Sequence, residues 1–149
     1  MEHALSSYIS QPEPIWTTRR QVLVADDDRD LRRLMARALR RAGHDVVELE
    51  DGDRLLRYLG LTLAPGLLFA APDLVITDVR MPGASGIDVL SVLRHASRRT
   101  PVILVTALED EHSELAIEAS ELGAAALLHK PFSMERLLEL AMDLTTIDR

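Results

Sequence analysis

Four short apolar runs constrain this chain more than any other feature: Val22-Leu23-Val24-Ala25, Leu74-Val75-Ile76-Thr77, Val102-Ile103-Leu104-Val105 and Ala124-Ala125-Ala126-Leu127-Leu128. A strand with water on one side alternates apolar and polar residues. These runs do not alternate, so each reads as a strand buried on both faces, as in a parallel sheet covered by helices. Each run also stops at or near a residue with polar chemistry: Asp26, Asp78, Thr106 and Lys130. Parallel strands point one way, so their C-terminal ends share one edge, where open α/β sheets bind ligands.

Helical patterns separate the runs. The first helix is predicted to start near Asp28 to Asp30, with Leu31, Leu34, Met35, Ala38, Leu39 and Ala42 on its apolar face. Gly43 ends it as the residue past the cap. Its outer face carries Arg29, Arg32, Arg33, Arg37, Arg40 and Arg41. Val46 to Leu49 reads as a further strand at a sheet edge, and Asp53 to Leu59 as a short second helix. Met81-Pro82-Gly83 and Gly86 form a loop, and a third helix runs from Ser85 or Gly86 to about His95. An acidic fourth helix spans Glu109 to Leu122, before Gly123. Ser133 caps a fifth, which runs to about Thr145. Five strands alternating with five helices predict an α/β doubly wound domain.

The end of the first run carries three adjacent carboxylates, Asp26, Asp27 and Asp28. Like charges crowded at the rim of a core raise one another's pKa. A helix N-cap accounts for one aspartate, not three. A hard cation that takes carboxylate oxygen and keeps part of its water accounts for the rest, and Mg²⁺ is that ion.

The segments VLVADDD (22–28), PDLVITDVRMPGASG (72–86), VILVTA (102–107) and HKPF (129–132) give these features a common pattern. The chain resembles the receiver domain of two-component response regulators over roughly residues 20–145. That resemblance implies a flavodoxin-like five-stranded parallel sheet of order 2-1-3-4-5, with a tail over 1–20 and the receiver domain over 21–149. It implies Asp78 as phosphoacceptor, fed by a histidine kinase or histidine phosphotransfer protein. Asp27, Asp78 and the backbone carbonyl of Arg80 would hold Mg²⁺ directly, and Asp26 through a bound water. Thr106 and Lys130 would take phosphoryl oxygens, and Lys130 would pair with Asp78 before phosphorylation. Lys130-Pro131 is a candidate cis peptide. One position departs from the pattern: where receivers commonly carry Tyr or Phe three residues before the lysine, this chain has Leu127. The aromatic relay from the site to the surface is therefore in question.

Two other readings compete. A haloacid-dehalogenase-type phosphatase also uses strand-end Asp, Thr and Lys with Mg²⁺, but gives Asp78 no role and needs an acidic pair after Lys130 that is absent. A receiver-like scaffold independent of phosphorylation keeps the fold without needing the intact acidic cluster. Only 19 residues, 131–149, follow Lys130. They suffice for one helix, so signalling by binding a downstream protein, or an excised receiver, is expected.

Composition narrows the rest. Net charge is −7, which speaks against a general nucleic-acid binder. The chain has no Cys, excluding disulfides and thiolate metal sites and fitting a cytoplasmic setting. No signal peptide is recognisable, and the longest apolar stretch, Leu61 to Ala71, is interrupted by Thr62, Pro65 and Gly66 and too short to span a membrane. That stretch is still unusually apolar for a connection. It is either an extension of the second helix packed on the body or a self-association or partner surface. In the tail, Gln11-Pro12-Glu13-Pro14 breaks regular structure, and Trp16 is read as packing. His3, His44, His95, His112 and His129 show no metal spacing and receive no chemical role.

Overall fold

A computed structural model of the chain describes residues 19–63, 71–96, 98–107 and 113–146. Five strands, β1 (Gln21–Ala25), β2 (Asp45–Leu49), β3 (Leu74–Asp78), β4 (Val102–Thr106) and β5 (Ala126–His129), form one sheet in the order β2-β1-β3-β4-β5. Every pairing is parallel. The helices are α1 (Arg29–Arg41), α2 (Gly52–Leu63), α3 (Gly86–His95), α4 (Glu114–Glu121) and α5 (Met134–Thr145). The expected flavodoxin-like doubly wound fold is the one found.

The uninterrupted apolar runs are buried as their composition requires. Both β3 and β4 are buried at all five positions. Their residues alternate between two cores. Val22, Val24, Leu74, Ile76, Ile103 and Val105 pack against Met35 and Leu39 of α1 and Leu137 and Ala141 of α5. Leu23, Val75, Val102 and Leu104 turn the other way, toward Leu55 and Leu59 of α2, Leu90 and Leu93 of α3 and Ala119 of α4. The edge strand β2 is only half-buried.

Some expected boundaries shift. The fourth apolar run becomes strand only from Ala126, and α2 continues four residues past Leu59 to Leu63. The buried stripe of α1 is rotated by about one position from the one expected. Arg32, Met35, Ala36 and Leu39 are buried, while Leu34 is 52% exposed and Ala42 lies outside the core. Arg32 therefore does not belong to the outer basic face. Gly43, just past α1, adopts φ +98°, the left-handed conformation glycine supplies at a helix end. The tail with Trp16, residues 64–70 of the apolar connection, and Glu109 to His112 lie outside the described residues. Among the described residues no helix is long and apolar enough to cross a membrane.

The loop after β3 is clamped against the start of α2. Asp53 Oδ1 accepts the N–H of Ala84 at 3.0 Å. Gly52 is buried directly under Ala84, and a Cβ there would collide with the Ala84 carbonyl. Gly52→Ala should therefore destabilise the protein by about 1–3 kcal/mol, the cost of overpacking a site that cannot yield. Urea unfolding checks this, and a midpoint equal to the parent's would disprove the clamp.

Candidate functional site

The strand ends meet as the parallel sheet dictates. β1 and β3 are neighbours in the middle of the sheet, with their chain continuations running to opposite sides, which is where such sheets open a binding crevice. Asp26, one residue past β1, is fully buried. Asp78 closes β3 and is 8% exposed, whereas Asp27 is exposed. One carboxylate oxygen from each of these three lies within 4.8 Å of the others. The third acid of the run, Asp28, has a different task. It is the N-cap of α1, and its Oδ1 accepts the N–H groups of Asp30 at 3.1 Å and Leu31 at 3.2 Å.

Lys130 reaches the cluster from the far edge of the sheet. Its Nζ donates to Asp78 Oδ2 at 3.0 Å and lies 3.5 Å from Asp26 Oδ2. Its backbone N–H donates to the Thr106 carbonyl at 2.8 Å, which ties the β5 exit to the end of β4. The Lys130-Pro131 peptide is cis. Thr106 is 2% exposed at the end of β4. Arg80 stands beside the Asp78 carboxylate, its N–H donating to Asp78 Oδ1 at 3.4 Å. Leu127 is half-buried and packs into the α2–α4 core.

Two residues at the site escaped the sequence reading. Arg32 folds inward, and its Nη1 donates to the Asp26 carbonyl at 2.8 Å while its Nε lies 3.6 Å from Glu48 of β2. It thus fixes the turn that carries the acidic pair. The signal was present: Arg32, Met35 and Leu39 have helical spacing, but a charged residue on a stripe is read as solvated by default. His129, given no chemical role, stands level with Thr106 in the β4–β5 register, and its Nδ1 lies 2.8 Å from Thr106 Oγ1. Its signal is positional, because the residue before Lys130 must pair near the end of β4. Of the other histidines described, His95 Nδ1 bonds the Ser91 carbonyl at 2.8 Å, and burial lowers the pKa of His44 despite Asp73.

The electrostatics follow from burial. Desolvation pushes the Asp26 carboxyl up to about 6, and the charges of Asp78 and Asp27 add to this. The N–H of Asp28, donating to Asp26 Oδ1 at 2.9 Å, and the Lys130 ammonium work against it. Burial pulls the Lys130 ammonium down, but its hydrogen bond to Asp78 and the charges of Asp26 and Asp78 outweigh that, so its pKa rises. Asp26 Oδ2 is buried with no hydrogen-bond partner among the described residues.

The family model for the response regulator receiver domain matches residues 22–142. This chain belongs to that family. It is a receiver domain of two-component signalling. The transcriptional regulatory protein FixJ of Bradyrhizobium diazoefficiens is 36% identical over 121 residues, covering 81% of this chain and 54% of FixJ. CpxR of Escherichia coli is 36% identical over 118 residues, 79% of this chain and 46% of CpxR. The receiver thus spans about half the length of these relatives. Among solved structures, the chemotaxis response regulator CheY4 of Vibrio cholerae superposes with TM-score 0.72 at 27% identity, covering 85% of this chain and 99% of CheY4. The receiver domain of Francisella response regulator 1452 gives TM-score 0.73 at 30% identity, covering 85% and 97%.

A carboxyl whose folded pKa is raised is more easily protonated in the folded than the unfolded state. Its stabilising contribution is therefore full below the unfolded value near 3.8 and is lost as pH rises to about 6. Asp26→Asn should stabilise the metal-free protein by roughly 1–3 kcal/mol at pH 7 to 8, and this gain should vanish toward pH 4. Thermal melts of both proteins in a chelator across pH 4–8 measure it. A gain that does not depend on pH would show that Asp26 is not the strained ionised group.

Proposed function

We propose that the chain accepts a phosphoryl group on Asp78 from the phosphohistidine of a histidine kinase or phosphotransfer protein, and that the modified receiver binds a downstream protein. The observation that carries this reading is the grip of Lys130 on Asp78 within a three-carboxylate cluster at the sheet's switch point. The cluster fits a hard divalent cation. Its donors are carboxylate oxygens, and among the described residues the buried Asp26 Oδ2 has no hydrogen-bond partner, the Lys130 ammonium standing 3.5 Å away. Asp27, Asp78 and the Arg80 carbonyl would hold Mg²⁺ directly, with Asp26 acting through a bound water. The ion supplies neutralisation of charge on the transferring phosphoryl oxygens.

The chain's own residues do the remainder. Asp78 offers a carboxylate oxygen as nucleophile. The Lys130 ammonium, held on Asp78 Oδ2 at rest, is positioned to pass to a phosphoryl oxygen. Thr106 supplies a hydroxyl to another. One stoichiometric transfer on the chain makes it a switch rather than a turnover enzyme. The phosphatase alternative gives no task to Asp78, the carboxylate that Lys130 grips.

Incubation with acetyl phosphate and Mg²⁺ should add one phosphoryl group, located at Asp78 by mass spectrometry. Asp78→Asn should accept none while keeping the parent's circular dichroism spectrum. Full labelling of that variant would sink the assignment.

The donor surface proposed is the outer face of α1. Arg33 and Arg37 are exposed there, and the same helix contributes Leu31 and Leu34 to a groove of ≈580 Å³ beside Lys130, whose other lining residues are Asp28, Ala107, Pro131, Phe132 and Met134. Arg32 is excluded from that role by its burial. Self-association through 61–71 stays a separate proposal, and Leu61, 54% exposed, is one of its described residues. Replacing Arg33 and Arg37 by Ala should slow transfer from a phosphorylated donor protein and flatten its dependence on salt. Labelling by acetyl phosphate should be unchanged. A transfer rate and salt slope equal to the parent's would remove α1 from the interface.

A further inference from the structure

We propose that His129 holds the Thr106 hydroxyl in the resting protein, and that capture of a phosphoryl group on Asp78 requires this hydrogen bond to break. The inference rests on the phosphoacceptor reading above and concerns how the same site is restrained. β4 and β5 pair so that Thr106 and His129 stand level, and Thr106 Oγ1 lies 2.8 Å from His129 Nδ1. Thr106 is nearly inaccessible and His129 half-buried, so water competes poorly for the hydroxyl.

A threonine hydroxyl carries one proton. With Nδ1 as acceptor, that proton is committed to the imidazole, and the ring's own proton sits on Nε2. The oxygens of a phosphoryl group on Asp78 are acceptors too. They gain the Thr106 proton only when the imidazole loses it, so resting and phosphorylated states compete for one donor. The main chain does not have to move for this exchange. The Lys130 N–H bond to the Thr106 carbonyl holds both strands in place, and rotation about χ1 carries the hydroxyl from one acceptor to the other.

The neighbouring position supports the assignment. Leu127 lies two residues before His129, on the same face of β5, and packs into the α2–α4 core. It has no polar atom to offer Thr106. Among the described β5 residues, His129 is the one whose side chain bonds the hydroxyl. His129 is thus a positioning residue that acts through Thr106.

Beryllofluoride with Mg²⁺, a phosphoryl mimic, tests this by calorimetric titration. His129→Leu should bind it about threefold to tenfold more tightly than the parent, the worth of one released hydrogen bond. Its affinity for Mg²⁺ alone should not change. His129→Gln, which keeps an acceptor, should return toward the parent's affinity. In a Thr106→Val background, His129→Leu should have no effect. The ¹⁵N ring spectrum of the unliganded parent should show Nδ1 unprotonated, with its shift changing on beryllofluoride addition. Unchanged or weaker binding by His129→Leu, or a gain that survives in Thr106→Val, overturns the proposal. A parent that binds no beryllofluoride overturns the phosphoacceptor reading itself, and this proposal with it.

Discussion

A carboxylate with no exposure, Asp26, sets the terms for this structure. Raising its pKa to about 6 corresponds to about 3 kcal/mol held against the folded state near neutral pH. That is a large fraction of the stability of an ordinary domain. The partners that limit the cost come from far along the chain. The Asp28 N–H is local, but Lys130 arrives by way of β5, and Arg32 reaches the Asp26 carbonyl while pairing with Glu48 of β2. Strand β5, at one edge of the sheet, therefore has to be in place before the central charge is answered. The site is a consequence of the completed sheet, and no fragment of the fold would contain it.

The surroundings divide into parts that fix the site and parts that can change. The β1–α1 turn is fixed by the Asp28 cap and by Arg32. The β3–α3 loop is fixed by Asp53 on Ala84, by the Ser85–Asp88 capping box and by the Gly86 N–H on the Val79 carbonyl. The contacts made by the Lys130 ammonium and the Thr106 hydroxyl are of another kind. Each is a side-chain hydrogen bond that can break without disturbing the backbone ladder. A rigid floor with breakable contacts above it would let the proposed modification of Asp78 alter the site without costing the sheet its order.

Much of this was legible in the sequence because burial on two faces leaves a mark that is hard to imitate. Uninterrupted apolar runs located β1, β3 and β4, and the residues just past them supplied Asp26, Asp78 and Thr106. The weaker readings failed for identifiable reasons. Ala124 and Ala125 extend the last run without belonging to β5, because alanine is apolar enough to continue a pattern and too small to define its end. The stripe of α1 was misplaced by one position because Leu34 outranks Arg32 in hydrophobicity. Tertiary contacts reversed that order, since Arg32 gains a carbonyl and a carboxylate inside while Leu34 gains no core. His129 was passed over because its partner is 23 residues away, and only the β4–β5 register brings them together.

Exposed charge also differs between two helices on opposite faces of the sheet. α1, with Arg29, Arg33 and Arg37 exposed, packs with α5 on one face of the sheet. α4, with Glu114, Glu118 and Glu121 exposed, packs on the other, together with α2 and α3. A protein carrying negative charge near its docking surface is drawn toward α1 and repelled by α4. Ile117, 58% exposed among the α4 glutamates, adds an apolar contact to the acidic layer. Thr106 and His129 lie on the α4 side of the sheet: the strand positions two residues before each, Leu104 and Leu127, both pack into the α2–α4 core. A change in the bond between Thr106 and His129 would therefore be felt on the α4 side of the sheet, opposite the α1 face proposed to meet the donor.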